Sequence, residues 1–168
     1  VIKSAILRDP SLFELLELCD ADIQNGRLDV LFNVVLAAAS VKNVVLAENE
    51  VERGKRTLLN LGHTVAHAIE RLTHKVSHGE AVAIGLSMMA WASVRRGRMV
   101  RAEAKRIDAL LTKFGFNLEL PVGLYDMLRE ARYDKKKFDD KIDVVLPEAV
   151  GRCVVEQITF KEFESMFL

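Results

Sequence analysis

Apolar side chains recur along this chain mainly at helical spacing, and only one stretch alternates. Leu12, Phe13, Leu15, Leu16 and Leu18 form a stripe behind Asp9-Pro10, a capping residue followed by a proline whose missing N–H costs nothing in a first turn. The pattern predicts a helix over 10–24, ended by Asn25-Gly26. Residues 28–47 follow with apolar side chains on nearly every side; the run 30–41, broken by Asn33 and Ser40, falls short of the ~20 residues of a bilayer span and predicts a core helix. The polar stretch 48–54 predicts a loop. Leu58, Leu59, Leu61, Val65, Ala68, Ile69 and Leu72 predict a helix starting at Thr57. Ser77 and Glu80 have the spacing of a capping box, which puts His78 in the first turn of a further helix, buried nearly all round over 81–91 and ending near Gly97. An amphipathic helix over 101–114 stops at Gly115. Only 142–155 changes period, with two β-branched runs either side of Pro147 to Gly151, and predicts a hairpin; Thr159 and Glu162 then cap a closing helix through Phe167. The fold class expected is therefore mostly α, a helical bundle with a small β-hairpin.

Composition narrows the partners. The chain has 168 residues, half of them hydrophobic, enough for one domain with one core. Its 24 basic and 24 acidic side chains cancel, which removes the electrostatic case for nucleic acid or an anionic membrane surface. Cys19 and Cys153 stand alone without a C-x-x-C spacing, as expected of bystander thiols in a reducing cytoplasm. The chain opens on Val1, already in helix-like text (Ile2, Ala5, Ile6), and the expectation is that sequence upstream is missing.

All four histidines fall within sixteen residues: His63, His67, His74 and His78. His63 and His67 are four apart, so on a helix they share a face, and His78 returns at the start of the next helix. Imidazoles are good zinc ligands, but a catalytic zinc takes three protein ligands and keeps one position open, and two histidines leave that set one short. Satisfaction of His63 and His67 by backbone or water is the alternative reading, and His74, beside Lys75, reads as solvated. A metalloprotease is excluded, because Thr64 stands where H-E-x-x-H requires its glutamate base.

The longer text Arg56-Thr-Leu-Leu-Asn60-Leu-Gly62-His63-Thr64, then His67-Ala-Ile-Glu70, then His78-Gly-Glu-Ala-Val-Ala-Ile-Gly85, closely resembles the 3-dehydroquinate synthase family. The likeness extends to Val1-Ile2-Lys3, Lys42, Asp134-Lys135-Lys136 and the hairpin, and so covers essentially the whole chain. Ala66, where the family commonly has Gly, Ser4, where it has Tyr, and a shorter stretch over 71–77 depart from its pattern. The resemblance implies the helical, C-terminal half of a two-domain enzyme, with a Rossmann-like NAD-binding domain absent from these residues. It implies His63 and His78 as ligands of a divalent metal, zinc or cobalt, with a third ligand, a glutamate, one residue before Val1. It implies substrate contacts by Lys3, Lys42, Arg56, Asn60, His67 and Lys135, with Lys42, Arg56, Asn60 and His67 also taking part in catalysis. The implied reaction, in the shikimate pathway, turns 3-deoxy-D-arabino-heptulosonate 7-phosphate into 3-dehydroquinate and phosphate, using NAD and regenerating it, in a cytoplasmic homodimer; residues 1–168 alone would be inactive. Other sugar phosphate cyclases, a metal-dependent alcohol dehydrogenase of the glycerol dehydrogenase type, and a non-catalytic metal-binding module are the competing expectations.

Overall fold

The computed structural model describes residues 1–51, 55–133 and 140–168, with the side chains of 49–51, 55–56 and 133 outside that description. The described residues form nine α-helices, one 3-10 turn and one two-stranded sheet: α1 (Ile2–Arg8), α2 (Pro10–Leu18), α3 (Asp20–Gln24), α4 (Leu28–Val51), the 3-10 turn (Lys55–Asn60), α5 (His63–Leu72), α6 (His78–Arg95), α7 (Arg101–Lys113), α8 (Leu124–Tyr133), β1 (Lys141–Ala149), β2 (Arg152–Thr159) and α9 (Phe160–Ser165). The mostly helical class with one hairpin is as expected.

Local chemistry accounts for most boundaries. Asp9 accepts a hydrogen bond from the Leu12 amide and Pro10 opens α2. Both capping boxes form: Ser77 with Glu80 starts α6, and Thr159 with Glu162 starts α9. The hairpin is antiparallel, pairing Lys141 with Thr159 through to Pro147 with Cys153, with an irregularity before Ala149. Its turn is tied to α1 where the Gly151 amide donates to the Ile6 carbonyl. Cys153 of β2 packs beside that helix, its sulfur 3.5 Å from the same carbonyl, and burial pushes its thiol up to about 12, which leaves it an inert bystander. Phe13, Leu16, Leu61, Ile69, Ile84 and Phe163 anchor the core where α1, α2, α5, α6, α7 and the hairpin meet.

Four expectations need correcting. The helix over 10–24 breaks at Cys19 into α2 and α3. The loop expected over 48–54 is helical through Val51, because Glu48 and Glu50 are good helix formers and neither Gly nor Pro interrupts the run to Val51. The helix expected from Thr57 starts six residues later: the leucines before it lie in the 3-10 turn, and Gly62, with φ +77°, resets the chain before His63. An α-helix through Gly62 is impossible at that φ.

The fourth correction concerns α4, expected in the core. Only one seam is covered, Val34, Val41 and Val45, at the seven- and four-residue spacing of a helix packed along one side. Phe32, Val35, Leu36 and Val44 stand in solvent, Phe32 with 68% of its surface exposed. By length and composition the segment 28–48 passes as a membrane span, although its buried seam rests on α1 and α2. Phe13→Ala should therefore cost ~3–5 kcal/mol by urea denaturation. Phe32→Ala should stay within ~0.5 kcal/mol, since its ring leaves no cavity behind.

Candidate active site

His63 is the first residue of α5 and His78 the first of α6, so both imidazoles come from helix N-termini that Gly62 and the Ser77 capping box set in place. Two glycines allow these helices to meet. The backbones of Gly62 and Gly85 touch: a Cβ on Gly85 would run into the Gly62 carbonyl, and one on Gly62 would lie 3.0 Å from the Leu86 amide nitrogen. Ala66 is fully buried on the same helix, so alanine at that position is accommodated.

The His63 ring lies 5.5 Å, centroid to centroid, from the rings of both His67 and His78. His63 Nδ1 is 3.1 Å from the Leu61 carbonyl oxygen and His78 Nδ1 is 2.8 Å from Glu70 Oε1. A carbonyl only accepts, and so does an ionised carboxylate, so Nδ1 is the donor in each ring and, in the neutral imidazole, Nε2 keeps its lone pair. Burial, with Lys3, His67 and His78 adding positive surroundings, holds His63 below its ordinary value of 6.5, against the opposing pull of the Leu61 carbonyl. A neutral imidazole with a free Nε2 is the form that binds a metal. The donor set among the described residues thus fits a divalent ion with two nitrogens and needs further ligands from elsewhere.

Lys3 reaches this place from α1, where its ammonium donates to the Leu59 carbonyl at 2.7 Å. Burial, and then repulsion from Lys42 on α4, pull the Lys3 pKa below its ordinary 10.5. A half-buried cation with a second positive charge nearby is relieved by an anion. A cavity of about 490 Å³ opens beside Lys3, lined also by His63, His78, Leu16, Leu111 and Phe114. Inorganic phosphate should therefore raise the thermal midpoint, and the rise should vanish in Lys3→Met; because the folded Lys3 loses its proton below 10.5, the effect should fade as alkaline pH approaches that range.

The structure thus brings together Lys3, His63, His67 and His78; Lys42, exposed on α4, lies near enough to repel Lys3 but does not line the cavity. Asn60 ends the 3-10 turn, exposed, two residues before Gly62. The side chain of Arg56 and all of Lys135 lie outside the described residues. Glu70 was missed as a member of the site; its position seven residues after His63, two turns along the same face, was the available signal.

Comparison with known proteins identifies the family. A family model described as 3-dehydroquinate synthase C-terminal matches residues 1–137. The 3-dehydroquinate synthase of Pelotomaculum thermopropionicum is 37% identical over 172 aligned positions, covering 100% of this chain and 46% of that protein. That of Thermodesulfovibrio yellowstonii is 35% identical, covering 92% and 44%. The chain spans about half the length of the curated relatives it matches. Among solved structures, a 2-epi-5-epi-valiolone synthase from Streptomyces hygroscopicus, with NAD+ and Zn2+ bound, superposes with TM-score 0.83 at 26% identity, over 98% of this chain and 47% of that one. A 2-deoxy-scyllo-inosose synthase shares the fold at TM-score 0.67 and 22% identity, over 83% and 41%. On its whole-length similarity to these relatives and the family model's match, the chain belongs to the 3-dehydroquinate synthase family, in the part that forms its C-terminal region.

Proposed function

We propose that residues 1–168 are the metal- and substrate-binding part of a 3-dehydroquinate synthase, which converts 3-deoxy-D-arabino-heptulosonate 7-phosphate into 3-dehydroquinate and phosphate. The observation that carries this reading is the meeting of His63 and His78 with Lys3 at one cavity, both imidazoles holding Nδ1 against an acceptor. In this reading the nicotinamide cofactor is bound by a Rossmann-like domain outside these residues, and a third metal ligand also comes from outside them.

His63 and His78 would hold a divalent metal, zinc or cobalt; once bound, it supplies a Lewis acid that makes a substrate hydroxyl easier to deprotonate before hydride leaves. The chain's own cations do the binding. The substrate carries a carboxylate and a phosphate, and Lys3 with Lys42 offers paired positive charge to one of them. Arg56 would supply a planar fork to the other, a geometry that suits carboxylate and phosphate alike. Lys135 adds a further cation for the phosphate, and Asn60 a donor and an acceptor for hydroxyls. Fixing both charged ends holds one pose through successive oxidation, elimination, reduction and ring closure, where proximity counts for most of the rate. His67, whose ring lies 5.5 Å from that of His63, would exchange a proton with the bound sugar in this reading, a task to which imidazole is suited near neutral pH.

The likeness to a valiolone synthase at TM-score 0.83 favours a second reading, a cyclase acting on a sugar phosphate without the carboxylate. Phosphate release separates the two. The protein encoded by the complete reading frame, given NAD and zinc, should release phosphate from the heptulosonate phosphate. Release only from a ketose phosphate that lacks the carboxylate would establish the second reading, and release from neither would overturn both.

A further inference from the structure

Glu70 carries an inference that rests on the metal-site reading above and deepens it. The residue stands on α5, two turns beyond His63, and its Oε1 lies 2.8 Å from Nδ1 of His78 across the short link 73–77. Both side chains remain partly open to water, Glu70 at 32% and His78 at 59%. A pair so exposed contributes little to folding, so stability does not explain why the two are matched. What the contact does fix is the ring. An imidazole free in water prefers its proton on Nε2, the atom a metal at His63 and His78 would need. A carboxylate on the far side reverses that preference by accepting from Nδ1, and it also fixes rotation about the Cβ–Cγ bond. His63 has the same arrangement from a different donor, the Leu61 carbonyl. Both rings of the pair are therefore anchored through Nδ1, one by backbone and the other by a side chain.

We propose that Glu70 is a positioning residue: it holds His78 in the Nδ1-protonated tautomer with Nε2 turned toward His63, and so prepares the site for its metal. Partners of this kind typically set metal affinity by about 10–100-fold. Capping by Ser77 and Glu80 already fixes the backbone of His78, so removing Glu70 frees the ring without unwinding α6.

The test uses the complete protein, labelled with 15N in its histidines, as wild type, Glu70→Ala and Glu70→Gln. In the metal-free wild type at pH 8, long-range 1H–15N correlation spectra should show His78 protonated on Nδ1, and Glu70→Ala should move that proton to Nε2. Cobalt affinity, read by competition with a chromophoric chelator, should fall by about 10–100-fold in Glu70→Ala and be partly restored in Glu70→Gln, whose amide oxygen still accepts. A wild-type His78 protonated on Nε2, or an unchanged tautomer and unchanged cobalt affinity in a folded Glu70→Ala, overturns the proposal. Absence of cobalt binding in the wild type would refute the metal-site reading itself, and the tautomer spectra would still decide the role of Glu70.

Discussion

His63→Ala in the complete protein should abolish phosphate release from 3-deoxy-D-arabino-heptulosonate 7-phosphate and weaken zinc or cobalt binding more than about 100-fold, beyond what loss of a ligand's partner costs. The size follows from where the ring sits. His63 is the one imidazole that lies 5.5 Å from two others, it is half-buried while His67 and His78 are exposed, and it shares the cavity with Lys3. Removing it leaves His78 as the single metal-binding nitrogen of the proposed pair. The fold should survive, because the ring's hydrogen bond to the backbone is local, to Leu61, and α5 keeps its buried face of Val65, Ala66, Ala68 and Ile69. Isothermal calorimetry for the metal, circular dichroism for the fold and a phosphate assay for the activity separate the effects. A variant that keeps wild-type metal affinity would remove His63 from the ligand set.

Gly85→Ala should cost stability at or above the ~1–3 kcal/mol usual for overpacking, with a matching loss of metal affinity. The new methyl group would meet backbone, the carbonyl of Gly62, and backbone cannot swing aside as a long side chain can. Relief requires α6 to move away from the chain just ahead of α5, and His63 is the next residue after Gly62. Gly79→Ala on the same helix is the control: its added methyl meets nothing within 4 Å, and alanine is the better helix former, so its stability should stay within ~0.5 kcal/mol of wild type or rise. Equal midpoints for the two alanine variants would show that the helices tolerate a wider spacing.

The parts of this molecule legible in its sequence are those whose signals are local. Two capping boxes, a proline at a helix start, a hairpin with its change of period and four clustered histidines each state their geometry within a few residues. The helix α8 was not foreseen, although Met127, Leu128 and Ala131 bury one face of it against α5. Its signal is clear but short: Leu124, Met127, Leu128 and Ala131 stand at helical spacing among four charged residues over only ten positions. The exposure of α4 was misread for a different reason: periodicity shows which side chains are apolar, whereas burial depends on what lies opposite them. The start of α5 depended on the sign of one φ at Gly62, which nothing around the leucines announces. For the site, the four-residue step from His63 to His67 was readable as a shared face, whereas the approach of Lys3 to Leu59 joins residues 56 apart and is a product of the whole fold.

That contrast between near and far bears on how ligands will register in melting experiments. Four histidines within sixteen residues keep some grip on a transition metal even when the chain is unfolded, so zinc will bind both states and its shift of the midpoint will understate its affinity for the native one. The lysine pair has no such local memory. Lys3 and Lys42 are 39 positions apart in the chain and meet only in the folded molecule, so an anion's shift of the midpoint reports native binding with far less discount.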